Sequence, residues 1–470
     1  MIPLTVSQIA DVVSGTWVGS DPELLVSAVV ADSRAVVPGC MFVAIKGERV
    51  DGADFAADAC ARGAGVVLVD REISDGEGTT IPCVVVEDPV VALGRLATWY
   101  RSTHLTCAVV AITGSSGKTS TKDLVARVLS GVGATVSAVG SFNTEVGMPL
   151  TILTADAGTR FLVLEMGMRG EGHIAYLADI ARPDVGVIVN VGSAHLGMLG
   201  SREAIARAKG ELVRALPEGA TAVLNGDDPL VRAMAHDTAA RVVTFGEGAD
   251  ADVRATDVRL DATARPSFTL TEGATSAALP VSLQFSGEHY VSNALAAAAV
   301  ALSLGATLEQ VVDGLRSAEP ASRWRMEVRV APSGCTVVND AYNANPESMR
   351  AALKTLAAIS AGRRTWAVLG EMLELGESSR EEHDAIGRLA VRLDISRLVC
   401  VGEGTRVMHL AASNEGSWGE ESIHVPDADA AIVLLRGQVG PDDVVLVKAS
   451  RSVGLERVAE ALLAGDGPTS

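Results

Sequence analysis

Short, uninterrupted apolar runs separated by longer stretches with a single apolar face recur along most of this chain. Such runs read as strands buried on both faces, and the amphipathic intervals as helices that cover them. In the first hundred residues the runs are 40–45, 66–69 and 83–86, with helical patterns over 55–62 and 92–102. The alternation then lengthens, with strands at 108–112, 135–138, 161–165, 185–191, 220–224 and 242–245. Residues 251–285 switch to short apolar and polar runs, which predicts added antiparallel strands before two helices near 291–304 and 308–317. A third series follows, with strands at 336–339, 365–369, 398–401 and 444–447 and helices over 346–359, 380–392, 427–438 and 453–463. Strand–helix–strand alternation implies parallel sheets with helices on both faces. The expectation is an α/β protein of three domains: a small α/β unit at 1–103, a central parallel-sheet unit at 104–320, and a Rossmann-like unit at 321–470. The length of 470 residues agrees, at about 150 residues per domain. The tail from residue 465 reads as disordered.

Composition narrows the partners. The formal net charge is −19, so there is no basic stripe to offset phosphate repulsion, and nucleic acid is excluded as a partner. An anionic substrate must then be held by local cations. Six cysteines are scattered without short spacings, which argues for buried free thiols in a reducing compartment and against a zinc cluster. Residues 1–11 lack the basic-then-apolar order of a signal peptide. The Ala-rich run 294–302 is too short to span a bilayer. A cytoplasmic protein without membrane insertion is expected.

The strand at 108–112 runs into Thr113, Gly114, Ser115, Ser116, Gly117, Lys118, Thr119 and Ser120, and then into a helix. Glycines let backbone N–H groups approach phosphate oxygens, and a helix start adds partial positive charge. Lys118 suits the terminal phosphates and Thr119 suits Mg²⁺. The general pattern places a glycine at position 112, where this chain has Ile112, so the loop is a shorter Thr-Gly-x-x-Gly-Lys-Thr form.

Further polar strings follow successive strands, and a parallel sheet gathers such strand ends on one edge. Asn143 and Thr144 open one; each is also compatible with an ordinary connection. Glu165 ends the next strand as a hard-oxygen ligand for Mg²⁺. His195 ends another, suited to a second metal contact or a proton relay. The string from Gly287 to Asn293 opens an Ala-rich helix, and Asn293 offers paired donor and acceptor groups to adenine. Arg325 and the string Asp340-Ala-Tyr-Asn343-Ala-Asn-Pro346 would complete a nucleotide site from another domain, with Arg325 on the γ-phosphate and Asp340 on Mg²⁺-linked water or ribose. Lys448 and Arg451 follow the last strand and suit a substrate carboxylate.

The short phosphate loop resembles that of the Mur ligase superfamily, ATP-dependent amide-forming enzymes of cell-wall precursor synthesis. Glu165, His195 and the strings at 340–346, 370–376, 32–34 and 42–48 extend the resemblance over essentially the whole chain. The resemblance implies ATP and Mg²⁺ as cofactors, with UDP-N-acetylmuramoyl-tripeptide and D-alanyl-D-alanine as substrates. ATP would phosphorylate the tripeptide carboxylate, and the dipeptide amine would displace phosphate. Lys118, Glu165, His195, Lys209 and Arg325 would be the catalytic set, with Thr119, Glu165 and His195 as metal ligands. Several such ligases carry a carbamylated lysine at the place of Lys209. Ser33, Arg34, Lys46 and Gly47 would hold the UDP end. A monomer with a closing third domain is expected. Two positions depart from the pattern: Ala53, where Asp-Gly-His is usual, and Ala449, where Lys-Gly-Ser is usual. A folylpolyglutamate synthase-like ligase, a phosphate-loop switch or motor protein, and a non-catalytic binding homologue are the rival readings. The first leaves Asp32-Ser-Arg unexplained and the second lacks an Asn-Lys-x-Asp string. Retention of Lys118, Glu165, His195, Arg325 and Asp340 counts against the third.

Overall fold

A computed structural model describes the chain except residues 20, 48, 417–420 and 466–470. Glu48 and the tail expected to be disordered from residue 466 onward therefore lie outside the described residues. The apolar run Ala108–Thr113 becomes the interior of a nine-stranded sheet. It pairs in parallel with Phe161–Glu165 on one side and Val185–Ile188 on the other. Thr135–Ser137 lies outside the first neighbour; Thr221–Asn225 and Arg241–Gly246 extend the sheet beyond the second, all in parallel. Val253–Leu260 joins in parallel, and Pro266–Glu272 and Ala277–Ser282 complete the edge as antiparallel strands, as the pattern over 251–285 predicted.

Alternation along Ala108–Thr113 divides the interior in two. Val110 and Ile112 enter the core beneath the helices Lys118–Ser130 and Tyr290–Ser303. Val109 and Ala111 enter a second core on the other face, and that core runs without a break into Leu4, Ile9, Leu93, Leu96 and Tyr100 of the N-terminal region. The N-terminal sheet has the order Thr16–Val18, Cys83–Val85, Val66–Val69, Met41–Val43, Val29–Val30, with only the first pairing antiparallel. The C-terminal sheet has the order Glu327–Val330, Thr336–Asn339, Val444–Lys448, Thr365–Leu369, Arg397–Val401, Ser422–Val425, again with one antiparallel pairing at its edge.

Among the elements not foreseen are the helices Val6–Val13 and Arg406–Glu415, the edge strands Glu327–Val330 and Ser422–Val425, and the short N-terminal strands Thr16–Val18 and Val29–Val30. The first helix carries a capping box, with Thr5 accepting from Gln8 N and the Gln8 side chain bonding back. All six cysteines are free, and five of them are buried. Among the described residues no helix is long and apolar enough to cross a membrane.

Candidate active site

The strands Ala108–Thr113, Phe161–Glu165 and Val185–Ile188 are parallel neighbours, so the segments following them emerge together. The loop 114–117 is shaped by Asn190, whose Oδ1 accepts from Ser115 N at 3.0 Å and Ser116 N at 2.9 Å. Its Nδ2 donates back to Ser116 O at 3.2 Å. Gly117 turns the chain into the helix at φ 75°, and no side chain caps that helix start. The first N–H groups of Lys118–Ser130 are therefore left for an anion. Lys118 Nζ donates to Gly114 O at 2.8 Å, curled over the loop. Burial pushes its ammonium below the usual lysine range, opposed by Glu165 and reinforced by Arg325. A bound phosphate would reverse that direction.

Glu165 is almost fully buried, and both its oxygens are engaged. Thr119 Oγ1 donates to Oε2 at 2.7 Å and Asn143 Nδ2 donates to Oε1 at 2.6 Å. Thr119 and Glu165 thus present adjacent hard oxygens, the donor chemistry that would suit Mg²⁺. His195 faces elsewhere with Nδ1, which lies 2.8 Å from Glu374 Oε2. The nearby imidazole holds the Glu374 carboxyl below the usual carboxylate range. Among the described residues no three His, Cys, Asp or Glu side chains form a metal cluster.

These groups line a cleft of about 700 Å³ between the central and C-terminal sheets. The cleft gathers Ser115 through Ser120, Asn143, Glu165, His195, Asn293, Arg325, Asp340, Asn343, Lys448 and Arg451 from the sequence expectations. Thr113 lies beneath it, its hydroxyl donating to Met166 O at 2.9 Å. Thr144 Oγ1 accepts from Gly147 N at the start of the following helix. Asn293 sits under the loop: Thr121 Oγ1 donates to its Oδ1 at 3.3 Å, and its Nδ2 is buried without a hydrogen-bond partner. Tyr290 and His289 form one wall. Burial raises the Tyr290 phenol to about 12 and lowers the His289 imidazole to about 4.

The opposite wall is prearranged by ion pairs that the sequence did not disclose. Lys448, expected as a free cation for substrate, donates to Asp340 Oδ2 at 2.5 Å and to Asn343 O at 2.9 Å, and is buried. Asp340 Oδ1 accepts from Met326 N at 3.0 Å, so neither of its oxygens is idle. Arg451 bonds to Glu456 Oε1 at 2.6 Å and lies over the Trp324 ring. Ala449 is buried, and a Cβ on Gly370 would come within 2.7 Å of its methyl group. The departure at this position is therefore matched by a glycine opposite. Ala53 is buried in the turn Gly52–Phe55.

Contacts between the two walls come mostly from residues to which sequence reasoning gave no role of their own. Ser193 N and Oγ donate to Glu347 Oε1 at 2.9 and 3.0 Å. Gly197 N donates to Glu374 O at 3.1 Å, and Asn345 Nδ2 donates to Ser115 O at 3.2 Å. Ser141 Oγ is hydrogen-bonded to Tyr342 OH. All but Ser115, Ser141, Ser193 and Gly197 lie in or beside the strings after 339 and 369, which was the available signal.

Two groups of expected site residues stand outside the cleft. Lys209 is 1% exposed in the helix Arg202–Arg214, its Nζ donating to Met168 Sδ at 3.9 Å. Burial, reinforced by Lys118, pushes its ammonium well below the usual range. Ser33, Arg34, Lys46 and Gly47 follow parallel strands of the N-terminal sheet and share its carboxyl edge. Arg34 is bonded to Asp32 at 2.8 Å and is largely exposed.

Comparison with known proteins agrees with this geometry. The family models for the Mur ligase family catalytic domain, the Mur ligase middle domain and the Mur ligase glutamate ligase domain match residues 25–101, 112–301 and 324–451. The chain is similar to the UDP-N-acetylmuramoyl-tripeptide–D-alanyl-D-alanine ligase of Mycobacterium tuberculosis, at 48% identity over 99% of each chain. The Escherichia coli enzyme of that name is 36% identical over 98% of this chain and 99% of its own. A crystal structure of MurF from Acinetobacter baumannii superposes with a TM-score of 0.86 at 32% identity, covering 98% of this chain and 99% of that one. MurF from Thermotoga maritima in complex with ADP gives 0.78 at 31% identity, covering 93% and 97%.

Proposed function

This chain belongs to the Mur ligase family, and from that membership we propose that it joins D-alanyl-D-alanine to UDP-N-acetylmuramoyl-tripeptide at the expense of ATP, forming ADP. The observation that carries the reading is the meeting of an uncapped phosphate-loop helix, the Thr119–Glu165 pair and Arg325 in one cleft between two domains.

The loop amides and Lys118 hold the triphosphate, and Arg325 neutralises charge on the γ-phosphoryl group as it passes to the tripeptide carboxylate. Catalysis is then mainly positioning and electrostatics, and the acyl phosphate requires that closure of the cleft exclude water. Thr119 and Glu165 would hold Mg²⁺, which would supply positive charge to offset that of the phosphates. The dipeptide amine attacks the acyl phosphate and phosphate leaves. His195, which lies against Glu374, would take the amine proton. Arg451 and the Lys448–Asp340 pair shape the end where the dipeptide carboxylate lies. Lys209, whose charged form burial disfavours, is suited to carbamylation, which would add carboxylate oxygens behind the site. Ser33, Arg34, Lys46 and Gly47 serve the UDP end. The substrates place the reaction in the cytoplasm, and the chain acts as a monomer.

The test is a substrate panel. ATP and UDP-N-acetylmuramoyl-tripeptides carrying lysine or diaminopimelate are combined with a series of dipeptides, and products are identified by mass. ADP release should require both the tripeptide and D-alanyl-D-alanine. Lys118→Ala should lower turnover by about 10²- to 10³-fold without loss of folded protein. ADP release indifferent to the dipeptide would refute the assignment.

A further inference from the structure

Arg325 is flanked by two residues in the left-handed region, Trp324 at φ 59° and Met326 at φ 49°. Such conformations are costly for bulky side chains and persist only where surrounding bonds enforce them. Here two bonds do so: Tyr342 N donates to Trp324 O at 3.1 Å, and Met326 N donates to Asp340 Oδ1 at 3.0 Å. They hold the segment around Arg325 in register with the turn that carries Tyr342. The Arg325 guanidinium carbon lies 4.1 Å from the centroid of the Tyr342 ring. That is well inside cation–π range. A guanidinium stacked on a ring keeps its N–H donors in its own plane, free for an anion. Arg325 Nε is buried and has no hydrogen-bond partner. The other end of Tyr342 reaches the central domain: its hydroxyl is bonded to Ser141, two residues before the Asn143 that holds Glu165.

We propose that Tyr342 is a positioning residue for the phosphoryl-transfer step: its ring is the platform that aims Arg325, and its hydroxyl sets that platform only when Ser141 of the central domain is in contact. One side chain thereby couples contact between the two domains to placement of the charge that stabilises the transferring group. The inference rests on the assignment of Arg325 to the γ-phosphoryl group in the proposed ligase reaction.

The experiment uses the full chain. Wild-type protein is first assayed for ADP and ligated product. If it makes neither, the ligase reading fails, and this inference falls with its premise. With wild-type turnover in hand, Tyr342→Ala should lower kcat by about 30- to 100-fold while KM for ATP stays within about threefold. Tyr342→Phe, which keeps the ring, should recover to within about tenfold of wild type. Ser141→Ala should match Tyr342→Phe, and the double variant should lose no more than either, because both remove one bond. ADP-induced thermal stabilisation of Tyr342→Ala reports that fold and nucleotide site are intact. If that stabilisation is lost, the Tyr342→Phe and Ser141→Ala pair decides, and additive losses overturn the proposal. It is equally overturned by a kcat within about threefold of wild type in Tyr342→Ala, by a loss confined to KM for ATP, or by Tyr342→Phe being as impaired as Tyr342→Ala.

Discussion

A lysine ammonium buried without an acid is held at a large desolvation cost, and Lys209 is such a group. Burial and the neighbouring Lys118 depress its pKa well below 10.5. Between that depressed value and 10.5 the unfolded chain binds a proton that the folded chain does not, so stability rises with pH through this window. A neutral amine is also the form that adds CO₂. Lys209→Met fills the same space without a titrating group. The melting temperature of wild type should therefore climb with pH relative to Lys209→Met across that window. A carbamate carbon resonance should appear with ¹³C-bicarbonate in wild type alone, and turnover of the variant should fall by about 100-fold. Parallel melting curves would remove the buried-amine argument, and a missing resonance would remove the carbamate. At this scale the sequence was most legible where chemistry sits at a strand end: Lys118, Thr119, Asn143 and Glu165 all reach one place. It was least legible for bonds that close over long separations. Lys448 and Asp340 lie more than a hundred residues apart, and nothing local indicates that each engages the other. Tyr342 and Glu374 sat within recognisable strings, but the partners that give them a role are on another domain.

Elements owe their position here to a few backbone requirements, of which Gly117 is the clearest. Its φ is 75°, and a Cβ there would lie 2.7 Å from Asn293 Oδ1 beneath the loop. Gly117→Ala therefore meets strain and collision together. It should cost about 1–3 kcal/mol of stability in urea denaturation and raise KM for ATP at least about tenfold, since the first N–H groups of Lys118–Ser130 would be turned from the phosphates. Gly131 follows the other end of the same helix at φ −75°. Alanine there should cost less than about 1 kcal/mol and leave KM unchanged. Equal behaviour of the two variants would mean that the loop conformation is not what binds phosphate. The strands and helices of the central sheet were readable because burial on both faces leaves unbroken apolar runs. The strand Glu327–Val330 escaped because it is an edge strand, partly exposed and only four residues long, with charged residues at alternate positions. The helix Val6–Val13 escaped because its eight residues make barely two turns and derive their stability from the core they join.

At the scale of the whole molecule, the border read at residue 103 does not divide the packing. An apolar helix face in a sequence indicates that something covers it, not which domain does so. The helix Pro89–His104 buries Leu93, Leu96, Ala97 and Tyr100 in the same core as Met148, Ile152, Ile174 and Leu177 of the central domain. Tyr100 also ties the two by hydrogen bonds: its hydroxyl accepts from Ile2 N at 2.7 Å and donates to Ala155 O at 2.7 Å. The N-terminal and central regions should therefore unfold as one cooperative unit, with Tyr100 contributing to the stability of both. Tyr100→Ala leaves a cavity and two unpaired backbone groups, for a loss of about 3–5 kcal/mol. Tyr100→Phe keeps the ring and strands only the polar groups, for a loss of about 1–3 kcal/mol. Hydrogen exchange separates this from a local effect. In Tyr100→Ala the amides of Met41–Val43, Val66–Val69 and Ala108–Thr113 should lose protection by the same factor, because all are exposed in one opening. Loss of protection limited to the N-terminal strands would show that the two regions open independently. The shared core would then be a docking surface between separate folding units, and the phosphate-loop strand would owe nothing to the region that precedes it.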